Sequence, residues 1–482
     1  MTKPPRLTWL LDGQPARPSI IRALQSARPA GPRASGGVPA HTPRVFTGIY
    51  ECPGLQPDTS HDLVVQVDGE PPESLTVRTL PDGLPSGMNE WFNVLLVSCF
   101  HRAEDRKGLV GTVVSRLPPA WKPHVTLLMG DQVYLDLPTL KNFPIGTAEL
   151  AEKFERDYWA NWALPPGFPQ VLRLAPSVSL PDDHEFWNNY PHASPTIQNS
   201  YTKSGRQNWR RAAEMMYDAF QSACVTQAGV SQPGGYYRLE VPPVSIFLAD
   251  SRWNRNETRK ESFSSATRKH LKAWAKNVAR RRWYGVFVTG QSLYDLAAGR
   301  VKGAVGEYTL PNYDDYPDVI QTLMTLPSQG CPLVCITGDV HWGRVAQARD
   351  SMTGRVAIHE IISSPASLVS TIGMDQWKRL RGVFSGWFGT PDPWPRHSEP
   401  EEPPAYLARE FRGAQLLAKR FPCVRLSGAG GESAQKGNHV ALLSFRRAGD
   451  GVDARLRYWP VHQDREQRSP VDVPLTKLRP LL

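Results

Sequence analysis

Five short polar clusters in this 482-residue chain carry side chains that bind metals and move protons. They are Ser98-Cys99-Phe100-His101, Gly130-Asp131-Gln132-Val133-Tyr134, Asp182-Asp183-His184-Glu185 with Asn188-Asn189 close behind, Asp250-Ser251-Arg252, and Gly338-Asp339-Val340-His341. Together they offer carboxylate, imidazole, phenol and thiol groups, donors suited to divalent and trivalent first-row metals. Two cations held close together can clamp the attacking and leaving oxygens of an in-line displacement at phosphorus. So many carboxylates in one pocket would repel one another unless cations neutralised them, which is a physical argument for metal.

Taken singly, each cluster has a plain structural reading. Asp131 could cap a helix. Cys99 could be a packed core thiol. Asp250 with Arg252 could be a structural ion pair, and His341 a satisfied buried histidine. The third cluster resists this treatment, because four consecutive polar residues between Leu180 and Phe186-Trp187 make an odd surface loop. The ordered set of five carries the argument.

The elements that must position these clusters are apolar runs. Val94–Cys99, Val125–Met129, Ser245–Ala249, Gly285–Thr289 and Leu333–Thr337 read as buried strands. Helical stretches Ala148–Ala163, Asn208–Ser222 and Ser265–Trp283 lie between them, so the reading is an α/β layered domain. In such folds the active residues stand just beyond the carboxyl ends of strands, where four of the five clusters directly follow a run. Residues 14–43 are rich in Pro, Ala, Arg and Gly and read as a loop. Residues 44–88 read as a small β module, with Leu63-x-Val65-x-Val67 and Leu75-x-Val77-x-Thr79 alternating about an Asp68-Gly69 turn. The stretch from Gly54 to Thr79 resembles the later strands of a fibronectin type III sandwich. Residues 388–404 read as a Pro-rich surface loop, and 438–460 as a hairpin about Gly449-Asp450-Gly451 that extends a sheet or caps the domain. The expected division is an extended segment over 1–43, the β module over 44–88, a catalytic domain over 89–370, and a loop and hairpin extension over 371–482 packing on it.

The formal net charge of +10 favours anionic partners. The basic residues are nevertheless dispersed, and the densest group, Arg280-Arg281-Arg282, suits a solvated helix C-terminus. Nucleic acid is therefore not indicated. Six scattered cysteines without a CxxC predict reduced thiols rather than a disulfide framework. The first 20 residues show no apolar export segment and no twin arginine, and no run of 18 apolar residues exists. A cytoplasmic protein with no transmembrane segment is expected. Oligomeric state is not legible.

The order of the clusters resembles the calcineurin-like metallophosphoesterase superfamily, and within it the alkaline phosphatase D family. That family has Ser-Cys where other members have Asp-x-His. It continues with Gly-Asp-x-x-Tyr, Asp-Asp-His-Glu-x-x-Asn-Asn, Asp-x-Arg and Gly-Asp-x-His. This chain reads Ser98-Cys99, Gly130-Asp131…Tyr134, Asp182-Asp183-His184-Glu185…Asn188-Asn189, Asp250…Arg252 and Gly338-Asp339…His341, a match over roughly residues 91–370. The resemblance implies an αββα-type sandwich preceded by a small β-sandwich. It implies hydrolysis of phosphate monoesters or diesters by a metal-bound hydroxide, with a small phosphate ester as substrate.

Carried over by position, Asp131 bridges two metals. Cys99 and Tyr134 are thiolate and phenolate ligands to a ferric ion, and Asp183 binds the second metal. Asp339 and His341 complete the shells, and Asn188 or Asn189 adds an oxygen. His184 acts as general acid or as donor to the phosphate, while Arg252 grips a non-bridging oxygen. The implied centre is binuclear or multinuclear, Fe3+ with Ca2+, or else Mn2+ or Zn2+. Gly437-Asn438-His439 imitates the superfamily's Asn-His motif, but Val440 follows where an acid belongs, so it reads as a decoy. Two other readings remain open: a phospholipase D-like or nucleotide phosphodiesterase on the same site, and a metal-free scaffold that binds an anion or partner.

Overall fold

The computed structural model describes residues 4–28, 45–138, 142–222, 235–293, 308–339, 341, 343–367, 414–421, 423–425, 434–435, 438–461, 470–473, 475 and 478–479. The Pro-rich stretch 388–404 and residues 29–44 lie outside the described residues.

The first strands belong to two small sheets. β1 (Leu7–Leu11) pairs antiparallel with β2 (Gln14–Pro15), while β3 (Ser19–Ser26) pairs with β4 (Phe46–Glu51). β5 (Ser60–Val67) joins β1 to β6 (Glu73–Arg78). The loop expected from residue 14 is thus interrupted by an eight-residue strand at Ser19–Ser26, and strand pairing begins at Leu7 rather than after residue 43. β3 was hidden because its mixed polar and apolar residues are largely exposed, so burial imposes no clean alternation on them. Contacts with the helices hold this region in place. Glu155, fully buried, accepts from Arg28 Nε (2.6 Å) and from the Val45 backbone N–H (3.1 Å), and Arg22 pairs with Asp218 at 2.9 Å.

Two large sheets follow. β7 (Phe92–Val97), β8 (Val125–Met129) and β9 (Ser177–Leu180) run parallel in the first. The second begins with β10 (Tyr236–Val241), antiparallel to β11 (Val244–Ala249). β12 (Tyr284–Thr289) and β13 (Leu333–Thr337) continue it in parallel. β14 (Gly343–Arg349) lies antiparallel to β15 (Val356–Ile362), which itself runs parallel to β13. β16 (Cys423–Arg425) and β17 (Ala434–Gln435) both pair with β14. β18 (His439–Ala448) and β19 (Gly451–Pro460) form the expected hairpin. It extends the first sheet, because β18 pairs with β7 from Phe92 to Leu96, and β20 (Val471–Val473) closes that edge.

Side-chain alternation sorts these strands into four layers. Val94 and Leu96 of β7, Val125, Leu127 and Met129 of β8, Ile246 and Leu248 of β11, Val286 and Val288 of β12, and Val334 and Ile336 of β13 form one core between the two sheets. Leu95, Val97 and Leu128 face the other way, onto helices that contribute Leu150, Phe154, Trp209 and Ala213. Phe247, Phe287, Leu333 and Cys335 face outward from the second sheet onto Leu271, Trp274, Ile320 and Leu323. Helices therefore cover both outer faces, the αββα arrangement expected. Strands buried on both faces must be apolar at every position, which is why they read as continuous runs.

Candidate metal centre

Seven parallel strands deliver their carboxyl ends to one region. β7 leads into Ser98-Cys99, β8 into Gly130-Asp131, β9 into Pro181-Asp182-Asp183, β11 into Asp250, β12 into Gly290-Gln291, β13 into Gly338-Asp339 and β15 into Ser363-Ser364. The loops of the two sheets interlock. The Cys99 N–H donates to Gly130 O (3.1 Å), the Gly338 N–H to Gly290 O (3.0 Å), and Ser364 Oγ to Cys99 Sγ (3.1 Å). Two glycines permit this approach. At Gly130 (φ +92°) a Cβ would sit 2.5 Å from Asp182 Cβ, and at Gly338 it would sit 2.3 Å from Met129 O.

The backbone is forced as well as crowded. Among the described residues ten non-glycine positions have positive φ, and five of them are here: Cys99 (54°), Asp131 (58°), Asn189 (72°), Asp339 (57°) and His341 (60°). A left-handed residue with a Cβ costs about 1–2 kcal/mol, and such costs persist where the surroundings over-determine them, often at functional sites.

The result is a set of overlapping donor clusters. Cys99, Asp131, Asp339 and His341 each bring a ligand atom within 4.8 Å of the others, as do Asp131, Asp183 and His184, and Asp131, Asp182, Asp183 and Asp339. Asp131 is common to all three. The Tyr134 ring is buried in the same place, and its hydroxyl has no hydrogen-bond partner among the described residues. At 4.8 Å two carboxylates repel by roughly 3 kcal/mol at an effective dielectric of about 20. Over the six pairs that four ionised carboxylates make, that is about 20 kcal/mol before any counter-charge, more than the roughly 5–15 kcal/mol stability of a whole domain. Cations are the counter-charge this donor set fits, and the buried phenol and thiol extend it toward a metal that takes soft or phenolate ligands.

Titration behaviour follows the crowding. Burial, then Asp183, Asp182 and Glu185, push the Asp131 carboxyl well up, with His184 opposing. Burial and the Asp131 and Asp339 carboxylates likewise raise the Cys99 thiol well above its usual range, against the Ser364 and Ser98 hydroxyls. Burial raises the Tyr134 phenol too, helped by Cys99, Asp131, Asp339 and Asp183. Asp183 goes the other way: burial works against its charge, but His184, Arg252, the Asn189 N–H and Arg255 together lower it.

His184 is held by a partner that sequence reading missed. Its Nδ1 lies 2.8 Å from Asp136 Oδ1, and Asp136 Oδ2 accepts the Asn188 N–H at 2.8 Å. Burial opposes the imidazolium, yet Asp136, Asp183 and Asp131 raise its pKa well above the ordinary value. Asp136 stands five residues after Asp131, and that spacing was the available signal. His101 packs edge-on against the Tyr134 ring (5.5 Å between centroids) and joins none of the clusters.

The Arg252 side chain is fully buried, with Nε 2.6 Å and Nη2 2.5 Å from Asp182 Oδ1 and Nη1 3.1 Å from Tyr190 O. A guanidinium so engaged is a counter-charge to Asp182. Asp250 instead fixes the local turn, accepting the N–H groups of Arg252 (2.8 Å) and Trp253 (2.9 Å). Of the two asparagines, Asn189 is buried and donates its N–H to Asp183 Oδ2 (2.8 Å), whereas Asn188 is half-buried. Gln291, unremarked in the sequence, donates to Asp339 Oδ2 at 3.3 Å. His439 opens β18 and joins none of the clusters.

No protein-family model and no curated protein matches this sequence. Among solved structures, one titled as the structure of PhoD aligns with 99% of this chain and 87% of its own, at 12% identity and a TM-score of 0.54. A dimetal phosphatase from Danio rerio aligns with 57% of this chain and 87% of its own, at 11% identity and a TM-score of 0.32. At 12% identity the first likeness speaks to the fold, over nearly the whole length of this chain.

Proposed function

We propose that this chain is a metal-dependent phosphoesterase of the alkaline phosphatase D type. The observation that carries the proposal is the convergence of Cys99, Asp131, Asp183, His184, Asp339 and His341 within overlapping 4.8 Å clusters that share Asp131. The likeness of fold to PhoD supports it. Catalysis is assigned to residues 89–370, with the hairpin of β18 and β19 completing the first sheet and the small N-terminal sheets as an accessory.

In this reading Asp131, common to every donor cluster, would serve as a ligand to both cations. Cys99, Tyr134, Asp339 and His341 hold one, and Asp183 with the amide oxygen of Asn189, rather than Asn188, holds the other. Cations of this kind acidify a bound water and neutralise the charge of a phosphate ester. The protein's own part is to fix their spacing and to orient His184. Asp136 fixes the imidazole through Nδ1, which leaves Nε2 to hydrogen-bond a substrate oxygen or to protonate the departing alkoxide. Arg252 offsets part of the carboxylate repulsion. Iron at the Cys99–Tyr134 position and calcium beside Asp183 match the donor chemistry, sulfur and phenolate against hard oxygen.

The test is to purify the protein, assay its metals, and follow hydrolysis of p-nitrophenyl phosphate and bis-p-nitrophenyl phosphate with and without chelator. Chelator-sensitive turnover that is lost in Asp131→Ala and His341→Ala supports the proposal, and the better ester chooses monoesterase or diesterase. Absence of bound metal and of turnover after reconstitution with iron, calcium, manganese or zinc overturns it.

A further inference from the structure

Glu185 is the member of the Asp-Asp-His-Glu run that the reading above leaves without a role. Its side chain is fully buried, and its two oxygens accept four hydrogen bonds. Oε2 takes the N–H groups of Asp131 (2.9 Å) and Asp182 (2.8 Å). Oε1 takes the N–H of Gln132 (2.8 Å) and Nε2 of Gln221 (3.0 Å). Three of the donors are backbone groups, and they come from the two loops, after β8 and after β9, that carry Asp131 and Asp183.

The geometry has a cause in the backbone. Successive N–H groups turn toward one anion only where the chain makes a turn with a left-handed residue, and Asp131 supplies that residue at φ 58°. A side chain with one acceptor oxygen could take the Asp131 and Asp182 N–H groups, as Oε2 does, but would leave the Gln132 N–H and the Gln221 amide without their acceptor. The carboxylate also adds a negative charge beside Asp131, so its presence works against the local electrostatics and needs a compensating function. Gln221 anchors it from outside the loops. Its Oε1 accepts Ser179 Oγ (2.5 Å), and Nε2 also donates to Tyr158 Oη (3.0 Å), which sets the amide with its N–H groups toward Glu185.

We propose that Glu185 is a positioning residue for the metal centre. Its carboxylate locks the loops after β8 and β9 together and so sets the spacing of Asp131 and Asp183, while Gln221 ties the lock to the helical layer. This inference rests on the cation-binding reading of the site.

Glu185→Gln keeps the shape but places an amide NH2 against groups that themselves donate. Metal-free wild type, Glu185→Gln and Gln221→Met would be titrated calorimetrically with Mn2+, and each melted with and without Mn2+. Loss of a partner behind metal ligands weakens affinity about 10- to 100-fold. That loss is expected for Glu185→Gln, with a smaller one for Gln221→Met and a shrunken Mn2+-induced rise in Tm for both. A merely structural Glu185 would lower the metal-free Tm and leave Mn2+ affinity as in wild type, which overturns the inference. Should Glu185→Gln not fold, Gln221→Met decides: weakened Mn2+ binding supports the lock and unchanged binding overturns it. A wild type that binds no Mn2+, and no iron, calcium or zinc tried in its place, overturns the cation reading and the inference with it, whereas wild-type binding with unaltered variants overturns the inference alone.

Discussion

The first sheet gathers like charges in two regions, and the fold treats them in opposite ways. Beyond the carboxyl ends of β8 and β9 stand Asp131, Asp182 and Asp183 of the candidate centre. At the other end of the sheet, just before β7 and β8, stand Trp91 and Trp121, and against them a row of arginines from β18 and β19. Arg446 lies over Trp91 (4.6 Å), Arg455 over Trp91 (4.1 Å) and Trp121 (3.6 Å), and Arg457 over Trp121 (4.3 Å) and Trp459 (5.6 Å). Asp453 pairs with Arg446 at 2.8 Å and Asp472 with Arg457 at 2.5 Å. On relaxed strands, carboxylates and aromatic faces compensate Arg446 and Arg457, while Arg455 rests on two indole faces and the Ala120 carbonyl, with burial and the Arg457 and Arg446 charges pulling its pKa down to about 10. The aspartate group is built on left-handed backbone, and Arg252, Arg255 and His184 offset part of its charge. Compensated charge is architecture, and charge assembled against strain is a binding site awaiting its counter-ion.

The largest test of this contrast is Asp131→Asn. Catalysis at such a centre depends on the shared ligand, so turnover of p-nitrophenyl esters is expected to fall by roughly a thousandfold or more. In metal-free protein the same substitution removes a buried charge among like charges, and stability in urea is expected to rise by about 1–3 kcal/mol. A fall in metal-free stability would break the comparison, since it would make Asp131 a structural residue like the arginines.

Arg455→Ala is the mirror experiment and a smaller effect. Arg455 loses contact with two indole faces, each worth about 0.5–1 kcal/mol, together with the packing of its stem. A stability loss of about 1–2 kcal/mol is expected, with metal content and turnover as in wild type. Altered metal content would mean that the two regions are coupled through the sheet.

What could be read in advance follows the same division. β7, β8, β11, β12 and β13 were legible because burial on both faces makes them continuously apolar, and four of the five clusters were legible as polar residues ending such runs. β9 is four residues long and carries two serines, too short to declare a period. β14 and β15 were obscured by Arg344, His359 and Glu360, polar residues that burial tolerates because Arg344 and Glu360 pair with each other across the two strands. The pairing of Arg252 with Asp182 was not legible because the two are distant in sequence, while Asp250 is adjacent. Asp136, Glu185 and Gln221 act through contacts that only the assembled loops create.

The smallest expected effect is a pH dependence beside the arginine row. His124, just before β8, accepts the Asn93 N–H at Nδ1 (3.1 Å), and Asn93 Nδ2 and Arg455 both donate to Ala120 O. Burial, with Arg78 adding to it and Asp58 opposing, pulls the His124 imidazole down to about 4. The ordinary histidine value is about 6.5. Between those values the unfolded chain binds a proton that the folded ring refuses. The stability from neutral His124 is therefore complete above pH 6.5 and is lost as pH falls toward 4, at no more than about 1.4 kcal/mol per unit. Since the ring is not wholly buried, about 1–2 kcal/mol is the expected total. His192 and His359 are also held near 4, so the measurement is a difference. Urea melts of wild type and His124→Leu, run from pH 7 to pH 4, should converge as pH falls, because the variant has no such proton to refuse. Parallel curves would mean that this end of the sheet accepts a further positive charge without cost, and its aromatic and carboxylate partners would then offset more positive charge than the arginine row alone carries.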